Sequence, residues 1–358
     1  MRVLFVVRPN TPERRGGDTT VADGAAVALR AAGLEVTISA DREPDPRGYD
    51  VAHLFGIFEP ETQQPQIDAL RRHGVPLVIS PIWWDRSGLF ALGPRLIRVL
   101  NDRDPRRIER RIKRFQDDER KLTARVGKGA ERRLARQAAM LAAADVVVTA
   151  SELESFVCAR GLRVVEPPYV VAKYGLERDA FVPWATRRAG VVCVGRIERL
   201  KNQAMLLFAL RDLDVDVTLV GRSYEDEYLA VTRRWATART HFVDRLPIDE
   251  LRDLLARSAV HVLPSWADLP GMASLEAAAA GARIVVGNRG SEREYVDNEA
   301  EYADALDPAG IRAAVMRALE RGPREPGDAL EQRLRATRWE DYAARVAAAY
   351  RLASSARA

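Results

Sequence analysis

Two short segments of this sequence carry residue types and spacings suited to holding an anion and a polyol. In Pro264-Ser265-Trp266-Ala267-Asp268-Leu269-Pro270-Gly271-Met272-Ala273-Ser274-Leu275-Glu276, the acids Asp268 and Glu276 are separated by seven residues, Gly271 among them. Gly271 permits a tight turn ahead of a helix start. Successive backbone N–H groups, from Gly271 through Met272 and Ala273 to Ser274, can then point at an anion. Glu276, one turn into the helix, suits ribose hydroxyls, and Asp268 suits sugar hydroxyls. A loop acid and a helix acid favoured by the macrodipole would leave the same trace. The second segment, Val194-Gly195-Arg196-Ile197-Glu198-Arg199-Leu200-Lys201-Asn202-Gln203, decides between the two. Arg196 and Lys201 fall at the C-terminal end of an apolar strand, where open α/β sheets bind ligands. A planar guanidinium fork and a compact ammonium beside a helix N-terminus suit a pyrophosphate.

The elements that must position these residues follow from periodicity. Short apolar runs predict strands at Val3–Val7, Val36–Ser39, Val51–Leu54, Leu77–Ser80 and Val146–Thr149. Helical spacing predicts Thr20–Ala32, with Gly33 as its C-cap, and Ala130–Ala144. A second set, Val191–Val194, Val215–Val220, His241–Val243, Val260–Leu263 and Ile284–Val286, alternates with helices Ala204–Leu210, Glu225–Ala236, Asp249–Ala256 and Ser274–Ala280. Apolar strands separated by helices imply parallel sheets covered on both faces. At 358 residues the chain exceeds the usual size of a single core. The hinge is placed near residues 168–185. The tail Trp339–Ala353 reads as an amphipathic helix, carrying Trp339, Tyr342, Val346 and Tyr350 near one face.

With both segments in one domain and in this order, the chain resembles glycosyltransferase family 4 over nearly its full length. Gly195-Arg196 with Lys201-Asn202 resembles that family's phosphate-binding cations, and Asp268 with Glu276 its paired acids. Gly281 through Val286 resembles the strand that follows, and Gly290-Ser291-Glu292-Arg293-Glu294-Tyr295-Val296 the next loop, with Glu294 at the usual acid. Gly16-Gly17 resembles the flexible glycine loop facing donor and acceptor. Trp339-Glu340 resembles the start of the crossover helix. The resemblance implies an α/β fold of the GT-B type, with two Rossmann-like parallel-sheet domains facing across a cleft and a C-terminal crossover helix. Residues 1–175 would form the acceptor-side domain, completed by helix 338–358, and residues 185–337 the donor-side domain. It implies retaining transfer of a sugar from a nucleotide-diphosphate-sugar to an acceptor hydroxyl, and it extends the donor site to Arg245 and Leu246. Arg196, Lys201 and Asp268 would carry the catalytic roles. The sequence departs from the pattern in three places: Asp268 where Glu is usual, Asp244 where a Gly is frequent, and Ser80-Pro81-Ile82-Trp83-Trp84-Asp85 where many members carry a His.

Other residues invite sharper readings than they support. His53 closes a strand at a position where a His is common in the family, so donor sugar or acceptor is its functional reading and strand packing its bland one. Trp83 and Trp84 suit stacking on a sugar ring and suit plain packing equally. Asp212, Asp214 and Asp216 alternate with apolar residues as an exposed strand edge does, which argues against a metal site. The four histidines lack zinc spacing, and Cys158 and Cys193 lack redox spacing. No metal and no other cofactor is expected, and nucleic acid is not expected as a partner. Between Arg103 and Arg136 stand fourteen Lys/Arg against six Asp/Glu, within a chain of net charge +5. Such a run is first a pair of solvated helices, and second an attraction for an anionic membrane surface or a phosphorylated acceptor. The opening Val3–Val7 run is too short for a signal peptide, and no stretch approaches the ~20 apolar residues that span a bilayer. The expected location is cytoplasmic, with the inner membrane face as the place where the basic run would act. The acceptor, whether glycan, lipid-linked or small molecule, is not readable. Two further functions fit the pattern: a nucleotide-sugar epimerase or hydrolase of the same fold, and a non-catalytic nucleotide-binding partner subunit.

Overall fold

The computed structural model describes residues 1–11, 13, 16–123 and 128–357. The chain divides into two compact units, one of Met1–Asp85, Gly127–Leu176 and Thr337–Ala358, the other of Arg86–Val126 and Glu177–Ala336.

The first unit holds strands β1 (Arg2–Val6), β2 (Glu35–Ser39), β3 (Val51–Phe55), β4 (Leu77–Ser80), β5 (Val146–Thr149) and β6 (Tyr169–Val171). They form one six-stranded sheet in the order β2-β1-β3-β4-β5-β6, every pairing parallel. Chain direction reverses between β1 and β3, so the loops after these two strands bound this sheet's switch point. β3, β4 and β5 are buried at every residue, as a sheet covered on both faces requires. Helix Trp339–Ser355 returns to this sheet and buries Tyr342, Val346 and Tyr350. Its Trp339 lies so close to helix Gly17–Ala31 that a Cβ at Gly24 would sit 2.6 Å from the indole.

The second unit holds β7 (Ala189–Val194), β8 (Val217–Val220), β9 (Thr240–Val243), β10 (Ser258–Leu263), β11 (Arg283–Gly287) and β12 (Glu301–Ala303). Its six strands run parallel in the order β12-β11-β10-β7-β8-β9. This is the doubly wound order of dinucleotide-binding sheets, with the switch point between β7 and β10. Helix Gln203–Leu210 is buried at every position, because it packs between the sheet and further helices.

Residues 86–126 correct the expected domain boundary. The sequence reading placed them in the first domain, yet helices Ser87–Leu100 and Pro105–Thr123 belong to the second unit. Leu92, Leu96, Leu100, Ile108 and Ile112 share one core with Leu206, Phe208 and Leu210. Backbone acceptors fix them further: Trp235 Nε1 donates to Leu100 O (2.8 Å) and Gln116 Nε2 to Leu306 O (2.8 Å). Of the basic run 103–136, residues 124–127 lie outside the described residues. Two strands were not expected, β6 and β12. Each is three residues long, too short to show a period. β8 begins at Val217, two residues later than its apolar run, because Val215 N closes a tight turn on Leu213 O (3.0 Å).

Candidate active site

The loops after β7, β10 and β11 meet at the second unit's switch point. After β7, Asn202 adopts a left-handed conformation (φ 63°) ahead of helix Gln203–Leu210. Its Nδ2 donates to Pro264 O (3.1 Å) and Ala305 O (2.8 Å), which ties this loop to the end of β10. Gln203 Nε2 donates to Arg196 O (2.8 Å), and Trp266 N donates to Leu200 O (2.9 Å). The backbone carrying Arg196 and Lys201 is therefore pinned on both sides, and only the cationic heads have freedom. Arg196 pairs with Glu198 at 3.2 Å while 31% of its side chain stays exposed. Lys201 Nζ forms a close ion pair with Asp268 Oδ1, and both side chains are largely covered.

After β10, Gly271 takes φ 75°, a conformation that L side chains resist, and caps helix Met272–Ala279. The amides of Met272 and Ala273 stand in the first turn, where a helix supplies no acceptor. Ser274 N instead returns to Gly271 O (2.8 Å), so this residue offers its hydroxyl rather than its amide. Glu276 is half-buried. Burial raises its carboxyl to about 7, Arg252 opposes this, and Glu177 adds to it. The structure thus brings Lys201, Asp268 and Gly271 together, with Arg196 on the loop after β7 and Met272, Ala273, Ser274 and Glu276 on the helix that Gly271 caps.

One acid in this site escaped the sequence reading. Glu292, in the loop after β11, is 2% exposed. Its carboxyl lies beside Asp268, with Oε1 3.4 Å from where a Cβ at Gly271 would be. Ser291 N donates to Asp268 O (3.1 Å) and locks the two loops together. Burial first, and Asp268 second, push the Glu292 carboxyl well above the usual carboxylate range, with Lys201 opposing. The available signal was Gly290, where a Cβ would collide with Glu292 Oε2 and Asp268 O. The reading had instead favoured Glu294 in the same loop.

Four other sequence-stated positions lie elsewhere. Arg245 is exposed and Leu246 half-buried on the loop after β9, at the edge of the sheet. Gly16 caps helix Gly17–Ala31 in an extended conformation, and a Cβ at Gly17 would meet nothing within 4 Å. This is consistent with an open loop in the first unit.

Two expected sugar contacts are corrected. His53 is 0% exposed, with Nδ1 2.8 Å from Tyr350 Oη and Nε2 2.9 Å from Ser80 Oγ. Both ring nitrogens are satisfied inside the core, and burial lowers its pKa to about 3, so the ring is a neutral packing element. Trp83 is 4% exposed, and its Nε1 donates to Gln137 Oε1 (3.0 Å), so its face is closed to a ligand. Trp84 is half-buried. The acids Asp212, Asp214 and Asp216 each pair with an arginine, at 3.3, 2.6 and 3.2 Å.

Two sheets of doubly wound type, the second with a polar site at its switch point, define the GT-B fold class. Comparisons agree. Residues 188–321, which contain the whole site, match the family described as Glycosyl transferases group 1. The chain is 34% identical over 170 residues to a glycogen synthase of Mycobacterium tuberculosis, covering 44% of this chain and 40% of that one. It therefore spans well under half the length of that curated relative. Sucrose-phosphate synthase from Thermosynechococcus elongatus superposes over 99% of this chain and 100% of its own, with TM-score 0.69 and 20% identity. The Anabaena protein HepE, in complex with UDP-glucose, superposes over 99% of each chain with TM-score 0.62 and 13% identity. No helix among the described residues is long and apolar enough to cross a membrane.

Proposed function

We propose that this chain is a glycosyltransferase that moves a sugar from a nucleotide-diphosphate-sugar to an acceptor hydroxyl, with retention of anomeric configuration. The observation that carries the reading is the convergence of Arg196, Lys201 and the Gly271 helix start at the switch point of the second sheet. Breaking the anomeric C–O bond develops negative charge on the departing diphosphate. Arg196, Lys201 and the amides of Met272 and Ala273 would stabilise it, without a metal. In the free site Lys201 is held by Asp268, so donor binding exchanges one anionic partner for another. Glu276 would accept hydrogen bonds from the ribose, and Asp268 from the sugar. Retention is proposed as a front-face displacement, since no side chain stands out as a nucleophile. The match of residues 188–321 to group 1 glycosyltransferases and the UDP-glucose held by the Anabaena neighbour support a uridine or similar nucleotide sugar as donor.

The test is nucleoside-diphosphate release from a panel of donors, with and without candidate acceptors. Acceptor-dependent release is expected, and the product's anomeric proton signal should match the donor's configuration. Release without any acceptor would assign the site to hydrolysis or epimerisation. Tight nucleotide binding without turnover on the whole panel would make the chain a non-catalytic partner.

A further inference from the structure

We infer that Glu292 is a specificity-determining residue that works with Asp268 to recognise a hydroxyl of the donor sugar. The inference rests on the donor site proposed above and adds a residue and a rule to it.

The geometry supplies the two halves of a hydroxyl receptor. Asp268 spends Oδ1 on Lys201, and its Oδ2 is buried without a hydrogen-bond partner. Glu292 Oε2 is likewise buried and unpartnered, on a side chain that is 2% exposed. A buried polar atom without a partner is costly, so such atoms mark places where a ligand completes the bonding. Gly290 and Gly271 flank the Glu292 carboxyl, and a side chain at Gly290 would displace it. Gly290 therefore reserves space for this acid, and Gly271, held at positive φ, borders it at ordinary contact distance.

Chemistry then assigns the roles. The charged groups facing Glu292 are Asp268 from the β10 loop and Lys201 from the β7 loop, and the Tyr302 phenol on β12 also feels it. One ammonium cannot balance two carboxylates in a covered site, and Glu292 is the more deeply buried, so it keeps the proton. An ionised acid accepts a hydrogen bond and a neutral acid donates one. A sugar hydroxyl donates and accepts at once, and fits both. Water in the same place would serve a free nucleoside diphosphate equally well. The pair therefore acts on the sugar and not on the nucleotide.

The experiment is calorimetric titration of the full chain with UDP and with UDP-glucose, for the wild type, E292L and E292Q, at several pH values. In the wild type UDP-glucose should gain affinity over UDP, and that gain should fall as rising pH ionises Glu292. E292L should lose roughly ten- to a hundredfold of the UDP-glucose affinity with UDP unchanged. E292Q keeps a donor N–H, so it should restore the gain and make it insensitive to pH. It also serves as the folded variant should E292L not fold. E292L binding both ligands as the wild type does, E292L losing both equally, or E292Q keeping the wild-type pH profile would each overturn the inference and leave the donor site standing. Wild-type protein that binds neither UDP nor UDP-glucose, while GDP, ADP and dTDP also fail, would remove the donor site and this inference together.

Discussion

Both sheets of this chain are six-stranded, parallel and doubly wound, but their strand orders differ and so does the chemistry at their switch points. In the first unit, Arg8 after β1 is 4% exposed and its guanidinium is engaged by Asp18 (2.6 and 3.2 Å) and Asn10 (2.7 Å). Asn10 Nδ2 in turn donates to Glu59 (3.2 Å), on the loop after β3. Charges there satisfy one another. Buried polar atoms without a partner occur in both units, at Thr11, Gln66, Trp339 and Tyr342 in the first and at His261, Ser265, Asp268, Ser274, Ser291 and Glu292 in the second. The six of the second unit lie on β10 and the segments that follow β10 and β11. Charges that satisfy one another make a stability device, whereas acids and hydroxyls clustered with their bonds unmade after two neighbouring strands suit a ligand. The difference teaches that the βαβ frame does not choose the binding site. The residues at the strand ends do.

Four perturbations would break or sharpen this contrast, the largest first. Lys201→Ala and Arg196→Ala should each slow turnover about a hundredfold, from about 3 kcal/mol of lost transition-state stabilisation. Thermal stability should stay near wild type. Near-normal turnover in a well-folded double variant would remove the phosphate role from these cations. Arg8→Ala should do the reverse. It strands Asp18 in a covered position and should cost about 3 kcal/mol of stability, read as a fall in Tm, with UDP affinity of the folded protein unchanged. A loss of UDP affinity without loss of Tm would put a ligand in the first unit's crevice.

The third concerns acid. His53 and His261 are both held neutral, each lowered to about 3 by burial, with weaker contributions from Asp268 and Lys201 at His261. An unfolded chain takes up protons on these rings near pH 6.5, and the folded chain does not until about pH 3. Stability should therefore fall as pH drops through that window. His53→Gln and His261→Gln should each flatten the slope, whatever they cost at neutral pH. The fourth and smallest is Glu276, whose carboxyl ionises near pH 7. The carboxylate is the better acceptor for ribose hydroxyls, so UDP affinity should rise severalfold as pH climbs from 6 to 8, and Glu276→Gln should abolish the rise.

Much of this was legible in the sequence for a physical reason. Strands buried on both faces, such as Val191–Val194 and Val260–Leu263, read as unbroken apolar runs, and a glycine ahead of a helix marks where a turn must take positive φ. That sufficed for the two sheets, and it placed Arg196, Lys201, Asp268 and Glu276 on the segments that follow β7 and β10. What local pattern cannot show is where a helix goes to bury its stripe. Leu92, Leu96 and Ile108 bury their stripe in a core whose partner residues lie a hundred residues onward, and the domain boundary was misplaced. The sequence left His53 open between ligand and packing because its partners, Ser80 and Tyr350, are remote in sequence. Glu292 was passed over for Glu294 because nothing in a seven-residue loop tells which acid turns inward. That was fixed by the space beside Gly271 and Gly290.

The most direct measurement is a crystal structure with UDP-glucose bound. The account predicts the diphosphate against Arg196, Lys201 and the first-turn amides of helix Met272–Ala279, with Lys201 turned from Asp268 onto phosphate. Nucleotide bound elsewhere, or Lys201 still paired with Asp268 beside an occupied site, would contradict it.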